Sequence, residues 1–296
     1  MRSLPRLGLC DDVRESCRAI VADARWVYID EGGLEAIAPG DPPALDPGSH
    51  FLEGEDDAVA LYVLALDAVN FGSGWFPALE RQPGGFGYAV VAHRLAARFR
   101  AAEPWTSEDL RGLEPAGASD LFGVPVGHPL ASLFAQALRE LGDFLAGRSA
   151  LDVIASAGGS AETLATQLAE GMAMWRDAGF YKRAQIAASD LALANVARFE
   201  DLDRLTIFAD NLVPHVLRTD GALRLEPGLA AHLDAGKLLA SGHQERELRA
   251  AAVVAGERLA HRLGVTERDL DGMLWQRGQA PRYADPPPHR CRTIAY

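Results

Sequence analysis

The apolar positions of this chain recur at helical spacing almost from end to end. From Asp11 they fall at Val13, Cys17, Ile20, Val21 and Ala24, one stripe of an amphipathic helix. Asp11 and Asp12 sit near its start, where carboxylates suit the positive end of the helix dipole. The run from Asp56 to Asn70 differs: Ala58 through Leu66 is apolar on every side and too long for one strand, which predicts a buried central helix. Ala- and Leu-rich stretches at 129–146, 161–178, 182–199 and 247–263 carry helical spacing as well. Thr106 or Ser107 before Asp109, Ser241 with Gln244, and Thr266 with Asp269 read as N-caps. Strand signals are nearly absent, the β-branched pair Thr206-Ile207 being short.

Between these elements the loops have their own chemistry. A Pro and Gly cluster from Pro39 to Gly48 predicts a surface loop that delivers His50 just before the buried helix. That helix runs into Asn70-Phe71-Gly72-Ser73-Gly74-Trp75-Phe76-Pro77, where two glycines free the backbone and flanking aromatics offer the wall of a pocket. Pro286 to Pro288 stiffens the approach to the last residues. Because Ile294 and Tyr296 are apolar, His289 to Tyr296 is expected to dock on the body. No fixed-period repeat or low-complexity tract interrupts the pattern. The expectation is an all-α fold of one domain over 1–296, or two packed helical subdomains of roughly 1–150 and 151–296.

Composition narrows the function. The 296 residues are 48% hydrophobic and 24% charged, ordinary for a folded globule. Net charge is −12, with a pI near 5.1. Duplex-binding proteins gain most of their affinity from Lys and Arg displacing counterions, so a stable nucleic-acid complex is disfavoured; a single nucleotide needs only a local basic pocket. Cys10, Cys17 and Cys291 are odd in number and lack CxxC spacing, which fits buried thiols in a reducing compartment. Met-Arg-Ser-Leu-Pro-Arg lacks the apolar region of a secretory signal, and Ala58 to Leu66 is about half of what a bilayer crossing needs. These features point to the cytoplasm and away from membranes, and leave the oligomeric state open.

No metal or cofactor motif stands out. HExxH, HxH and Cys/His ribbons are missing, and His243 with Glu245 and Glu247 reads as a solvated helix start. Gly72-Ser73-Gly74 is not a nucleophile elbow, and neither a Walker A loop nor a dinucleotide fingerprint occurs. What remains is carboxylates, a few cations and aromatics, the groups that hydrolyse a glycosidic bond through an oxocarbenium-like state. Lys182 and Arg183 at a helix start oppose its dipole, which suggests either a nearby anion or a solvated charge pair. Asp210 follows the apolar Ile207-Phe208-Ala209 and is either a partly desolvated carboxylate or a helix cap. Asp271 and Trp275, four apart, present a carboxylate and a large ring on one helix face, as a purine would require and as an ordinary core Trp beside an Asp would also give.

Taken together, these segments resemble the queuosine salvage family, the queuosine 5′-phosphate N-glycosylase/hydrolases. The resemblance is carried by Asp67-Ala68-Val69-Asn70-Phe71, Tyr181-Lys182-Arg183-Ala184-Gln185-Ile186, and Phe208-Ala209-Asp210-Asn211-Leu212-Val213-Pro214. It continues through Gly221-Ala222-Leu223, Glu245-Arg246-Glu247-Leu248-Arg249, Asp271-Gly272-Met273-Leu274-Trp275, and His289-Arg290-Cys291-Arg292. It implies a fold related to helix-hairpin-helix DNA glycosylases and an enzyme that needs no metal or cofactor. The implied reaction releases queuine, a 7-deazaguanine base, and ribose 5-phosphate from queuosine 5′-phosphate, for salvage into tRNA modification. By position the resemblance makes Asp210 catalytic, as nucleophile or as electrostatic stabiliser. It puts His50, Phe208 and Asp271 at the base, with Trp275 beside Asp271, and associates Lys182 with the phosphate. Gln276 departs from the acid that some relatives carry there. The alternatives are a base-excision glycosylase acting on DNA, and a helical binding module without catalysis.

Overall fold

Helices occupy most of the chain in the computed structural model, which describes residues 8–79 and 87–296. The Met-Arg-Ser-Leu-Pro-Arg segment read for a signal lies outside the described residues. In order the elements are α1 (Leu9–Ala22), β1 (Val27–Ile29), α2 (Glu31–Ala36), α3 (Asp56–Ala68), α4 (Phe76–Leu79), α5 (Tyr88–Ala101), α6 (Ser107–Arg111), α7 (Pro115–Phe122) and α8 (Pro129–Leu145). They continue with α9 (Ala150–Ser156), α10 (Ala161–Gly171), α11 (Lys182–Leu193), α12 (Leu212–Thr219), β2 (Leu223–Leu225), α13 (Pro227–Asp234), α14 (His243–Leu263) and α15 (Glu267–Arg277).

Helix α3 is the buried centre that its apolar run predicts. Every residue from Ala58 to Ala68 is buried, and the helix packs against α5, α8, α9 and α11. Burying one Val or Leu side chain is worth roughly 1.5–3 kcal/mol, whereas a β-branched residue loses at most about 0.7 kcal/mol of helix propensity, so burial decides the conformation of Val59 and Val63. On the other side α14 packs on α1, α12 and α15, and α1 presents Cys10, Val13 and Cys17 to that core. The thiols of Cys10 and Cys17 are free, and burial pushes both well up from the usual range.

The caps divide. Thr106 forms a full capping box with Asp109, and Thr266 accepts from the Asp269 N–H. Ser241 does not cap: α14 opens at His243 behind Gly242, with no side-chain bond at its first turn. Nor is that start solvated, since Glu245 and Glu247 are both buried. The Glu247 carboxylate accepts from the backbone N–H groups of Arg25, Trp26 and Val27, and so holds the entry to β1.

The chain is therefore mostly helical rather than purely so. β1 and β2 pair antiparallel, Val27 opposite Leu225 and Ile29 opposite Leu223. Three-residue strands are too short to show a period of two, which is why the sequence pattern passes over them. Helix α11 ends at Leu193, short of the predicted 199, and Asn195 follows in the left-handed region at φ 60°. Among the described residues no helix is long and apolar enough to cross a membrane.

Candidate active site

An extended segment, Leu205 to Ala209, runs buried into the middle of the molecule and sets up the site. Gln185 of α11 grips it: Oε1 accepts from the Thr206 N–H, while Nε2 donates to Thr206 Oγ1 and to the Phe180 carbonyl, each at 2.9 Å. Ile207 lies directly over Gly256 of α14, where a Cβ would sit 2.3 Å from Ile207 Cγ1, so only glycine lets segment and helix approach this closely. The Phe208 N–H donates to Asp271 Oδ1 at 2.9 Å, and Arg249 Nε donates to the Ala209 carbonyl at 2.8 Å.

Asp210 comes next, at the start of α12. Its Oδ1 accepts from the Leu212 and Val213 N–H groups at 2.7 and 2.9 Å, and the residue lines a cavity of about 880 Å³. The side chain therefore caps the first turn of α12 through one oxygen and also lies on the cavity lining. A cavity of this volume suits a small molecule. His50, Lys182, Phe208, Asp271 and Trp275 line the same cavity.

Lys182 enters from α11 behind Tyr181, whose φ of 50° is a strained value for a residue with a Cβ. Its Nζ donates to the Asn70 carbonyl at 3.1 Å and to Asn70 Oδ1 at 3.0 Å. Arg183 turns away from the cavity lining: fully buried between the rings of Phe71 and Trp175, it donates to the carbonyls of Ala68 and Met174. Arg183 thus closes the C-terminal end of α3, and the adjacent cations have separate duties. Arg249, stacked 3.9 Å from the Phe180 ring centroid, pairs with Asp177, whose backbone carbonyl accepts from the Phe180 and Tyr181 N–H groups. One guanidinium therefore ties the turn before Lys182 to the carbonyl before Asp210.

Also on the lining, His50 Nδ1 meets the Asp46 carbonyl at 2.9 Å, and Nε2 meets the Tyr88 hydroxyl at 3.2 Å. A carbonyl only accepts, so Nδ1 carries the hydrogen and Nε2 of the neutral ring accepts from Tyr88. Burial lowers the His50 pKa and favours that neutral form. The Tyr88 ring stands edge-on to Trp275, centroids 5.7 Å apart. Pro43 packs on Gly272 of α15, where a Cβ would come within 2.3 Å, so the 39–48 loop closes onto the helix that bears Asp271 and Trp275.

Burial sets the electrostatics. It raises the pKa of Asp210 against the pull of Lys182, and raises that of Asp271 well above the usual range with help from the Asp210 charge. Burial also lowers Lys182 to about 8, against the charges of Asp210, Asp67 and Asp271.

Sequence reasoning missed Asp190, Tyr88 and Arg268, all on the cavity wall. Asp190 lies eight positions after Lys182 on α11, a carboxylate inside an otherwise apolar stretch, which is the signal that marks it. Of the Asn70 to Pro77 loop, Asn70, Phe71, Ser73, Phe76 and Pro77 line the cavity, as the pocket-wall expectation requires. The tail docks: His289, Cys291 and Tyr296 are buried, and the Gly72 N–H donates to the Tyr296 carbonyl at 2.9 Å.

Residues 50–296 match the family described as Queuosine salvage protein. The queuosine 5′-phosphate N-glycosylase/hydrolase of Sphaerobacter thermophilus is 34% identical, the alignment covering 98% of each chain. Proteins of the same name from Mus musculus, 29% identical over 96% of this chain and 98% of theirs, and from Dictyostelium discoideum, 28% over 81% and 79%, are also similar. A family match over most of the sequence, with a relative above 30% identity along nearly the whole length, leads to one conclusion: this chain belongs to the queuosine salvage protein family.

Proposed function

We propose that the chain hydrolyses the N-glycosidic bond of queuosine 5′-phosphate, releasing queuine and ribose 5-phosphate without metal or cofactor. The observation that carries this reading is the meeting of Asp210, Asp271, His50 and Trp275 in one cavity, in a chain whose relatives are named for that activity. The substrate base is a 7-deazapurine, so carbon replaces the ring nitrogen that purine hydrolases protonate, and the leaving group must be stabilised elsewhere. Asp271 suits that duty. Its raised pKa favours the neutral carboxyl, which can donate to a base heteroatom gaining charge, while Phe208 N–H holds its other oxygen. Phe208, Trp275 and His50 enclose the base in this reading.

Asp210 stands below the anomeric carbon, its rotamer set by the two N–H groups of α12. It stabilises the oxocarbenium-like state or adds to it. Over the whole reaction the C1′–N bond breaks with its electrons going to the base, water oxygen bonds to C1′, and a water proton reaches the departing base nitrogen. Lys182, held by Asn70 and surrounded by carboxylates, fits a positioning role that favours ionised Asp210 better than the phosphate contact inferred from sequence. The rival DNA-directed glycosylase is disfavoured by the net charge of −12.

Incubation with queuosine 5′-phosphate, queuosine and GMP, read by mass spectrometry, tests the proposal. Queuine and ribose 5-phosphate are expected from the first, with slower release from the nucleoside and none from GMP. Equal turnover of GMP would remove the assignment of the base.

A further inference from the structure

Three cations line the cavity among the described residues: Lys182, Arg268 and Arg290. Lys182 is occupied by Asn70, its Nζ donating to both the carbonyl and Oδ1 of that residue. Arg268 is occupied by Ser189 Oγ and Asp269. Arg290 differs from both. No described residue accepts a hydrogen bond from its guanidinium or lies within ion-pair distance of it, and its Nε is buried without a partner.

The position of Arg290 is fixed by its backbone. Its carbonyl accepts from the Leu239 N–H at 2.7 Å, and the neighbouring His289 carbonyl accepts from Asn211 Nδ2 at 3.1 Å, next to Asp210. On the third side Gly74 packs so closely on the tail that a Cβ there would sit 2.2 Å from the Cys291 carbonyl oxygen. That contact brings Ser73 alongside, and Ser73 Oγ is a second buried polar atom on the cavity wall without a partner. The guanidinium reaches towards Gly236, which is outside the lining, so it stands at the edge of the cavity.

A guanidinium and a hydroxyl without partners among the described residues, on juxtaposed backbones next to the Asp210 segment, make a receptor for an anion carried on the sugar. We propose that Arg290, with Ser73, binds the 5′-phosphate of the substrate; this rests on the reading that a nucleoside 5′-monophosphate occupies the cavity. Binding energy taken up there holds the ribose over Asp210 without touching the breaking bond. The C-terminal segment thereby becomes part of the active site.

The test uses two readouts on the full chain with Arg290→Gln, Arg290→Lys and Ser73→Ala. Losing charge-assisted hydrogen bonds should lower kcat/KM for queuosine 5′-phosphate by about tenfold to a hundredfold in R290Q, mostly through KM, with R290K between. Turnover of free queuosine should stay within about twofold, so the preference for phosphate collapses. Calorimetric binding of ribose 5-phosphate should weaken in R290Q and, less, in S73A. An unchanged phosphate preference, an equal loss on both substrates, or ribose 5-phosphate binding that ignores R290Q would each overturn the proposal. Should ribose 5-phosphate bind through Arg290 while queuosine 5′-phosphate is not cleaved, the assignment of the base fails and the phosphate site stands.

Discussion

Lys182 and Asp210 line one cavity, and each alters the protonation that the other needs. Burial raises the Asp210 pKa, and the Lys182 charge opposes that rise. If the reaction needs ionised Asp210 and charged Lys182, the rate falls on the acid side as pH drops through the raised Asp210 pKa. It falls on the alkaline side as pH climbs past about 8, where Lys182 loses its proton. Replacing Lys182 by Gln removes the opposing charge, so the acid limb should move to higher pH and the alkaline limb should vanish. A pH–rate profile of K182Q with both limbs in their wild-type places would contradict this role.

At the scale of elements, the site depends on how closely the 205–209 segment passes α14. Gly256→Val would drive its side chain into Ile207 and shift the chain that presents Phe208 and Asp210. Overpacking of this kind costs about 1–3 kcal/mol, readable by urea denaturation, and kcat should fall by more than the lost stability explains. A variant with wild-type stability and turnover would show that the approach is not what positions Asp210. The sequence makes much of this scaffold legible. The all-round apolar run of α3, the stripe of α1, and the caps at Thr106 and Thr266 follow from local periodicity and capping chemistry. What stays hidden is non-local. Glu247 looks solvated because nothing along the chain announces that the N–H groups of residues 25–27 will meet it, and the Glu245–Arg249 pair, though four apart on α14, gives no sign that it will be buried. The three-residue strands exist through that same tertiary contact. Within the site, i, i+4 spacing puts Asp271 and Trp275 on one helix face and the family resemblance singles them out, whereas Asp190 and Tyr88 become visible only when α11 and α5 are packed around α3.

As a whole molecule, the chain carries net charge −12 yet keeps its cavity cations fixed at chosen points, Lys182 beneath the carboxylates and Arg290 at the edge. A negative global charge disfavours polyanionic partners, while a locally placed cation can still receive a small anion. Segments from both halves of the chain build the cavity: the 69–77 stretch that follows α3, with α5, from one half, and α11, α12, α15 and the tail from the other. In the proposed reaction all of these elements serve to present one ionised carboxylate to the sugar. Asp210→Asn tests that claim most directly, because an amide oxygen still accepts from Leu212 and Val213 N–H and preserves the cap. Single-turnover cleavage of queuosine 5′-phosphate by D210N should be slower by about a thousandfold, with substrate affinity and melting temperature close to wild type. Cleavage within tenfold of the wild-type rate would contradict the account.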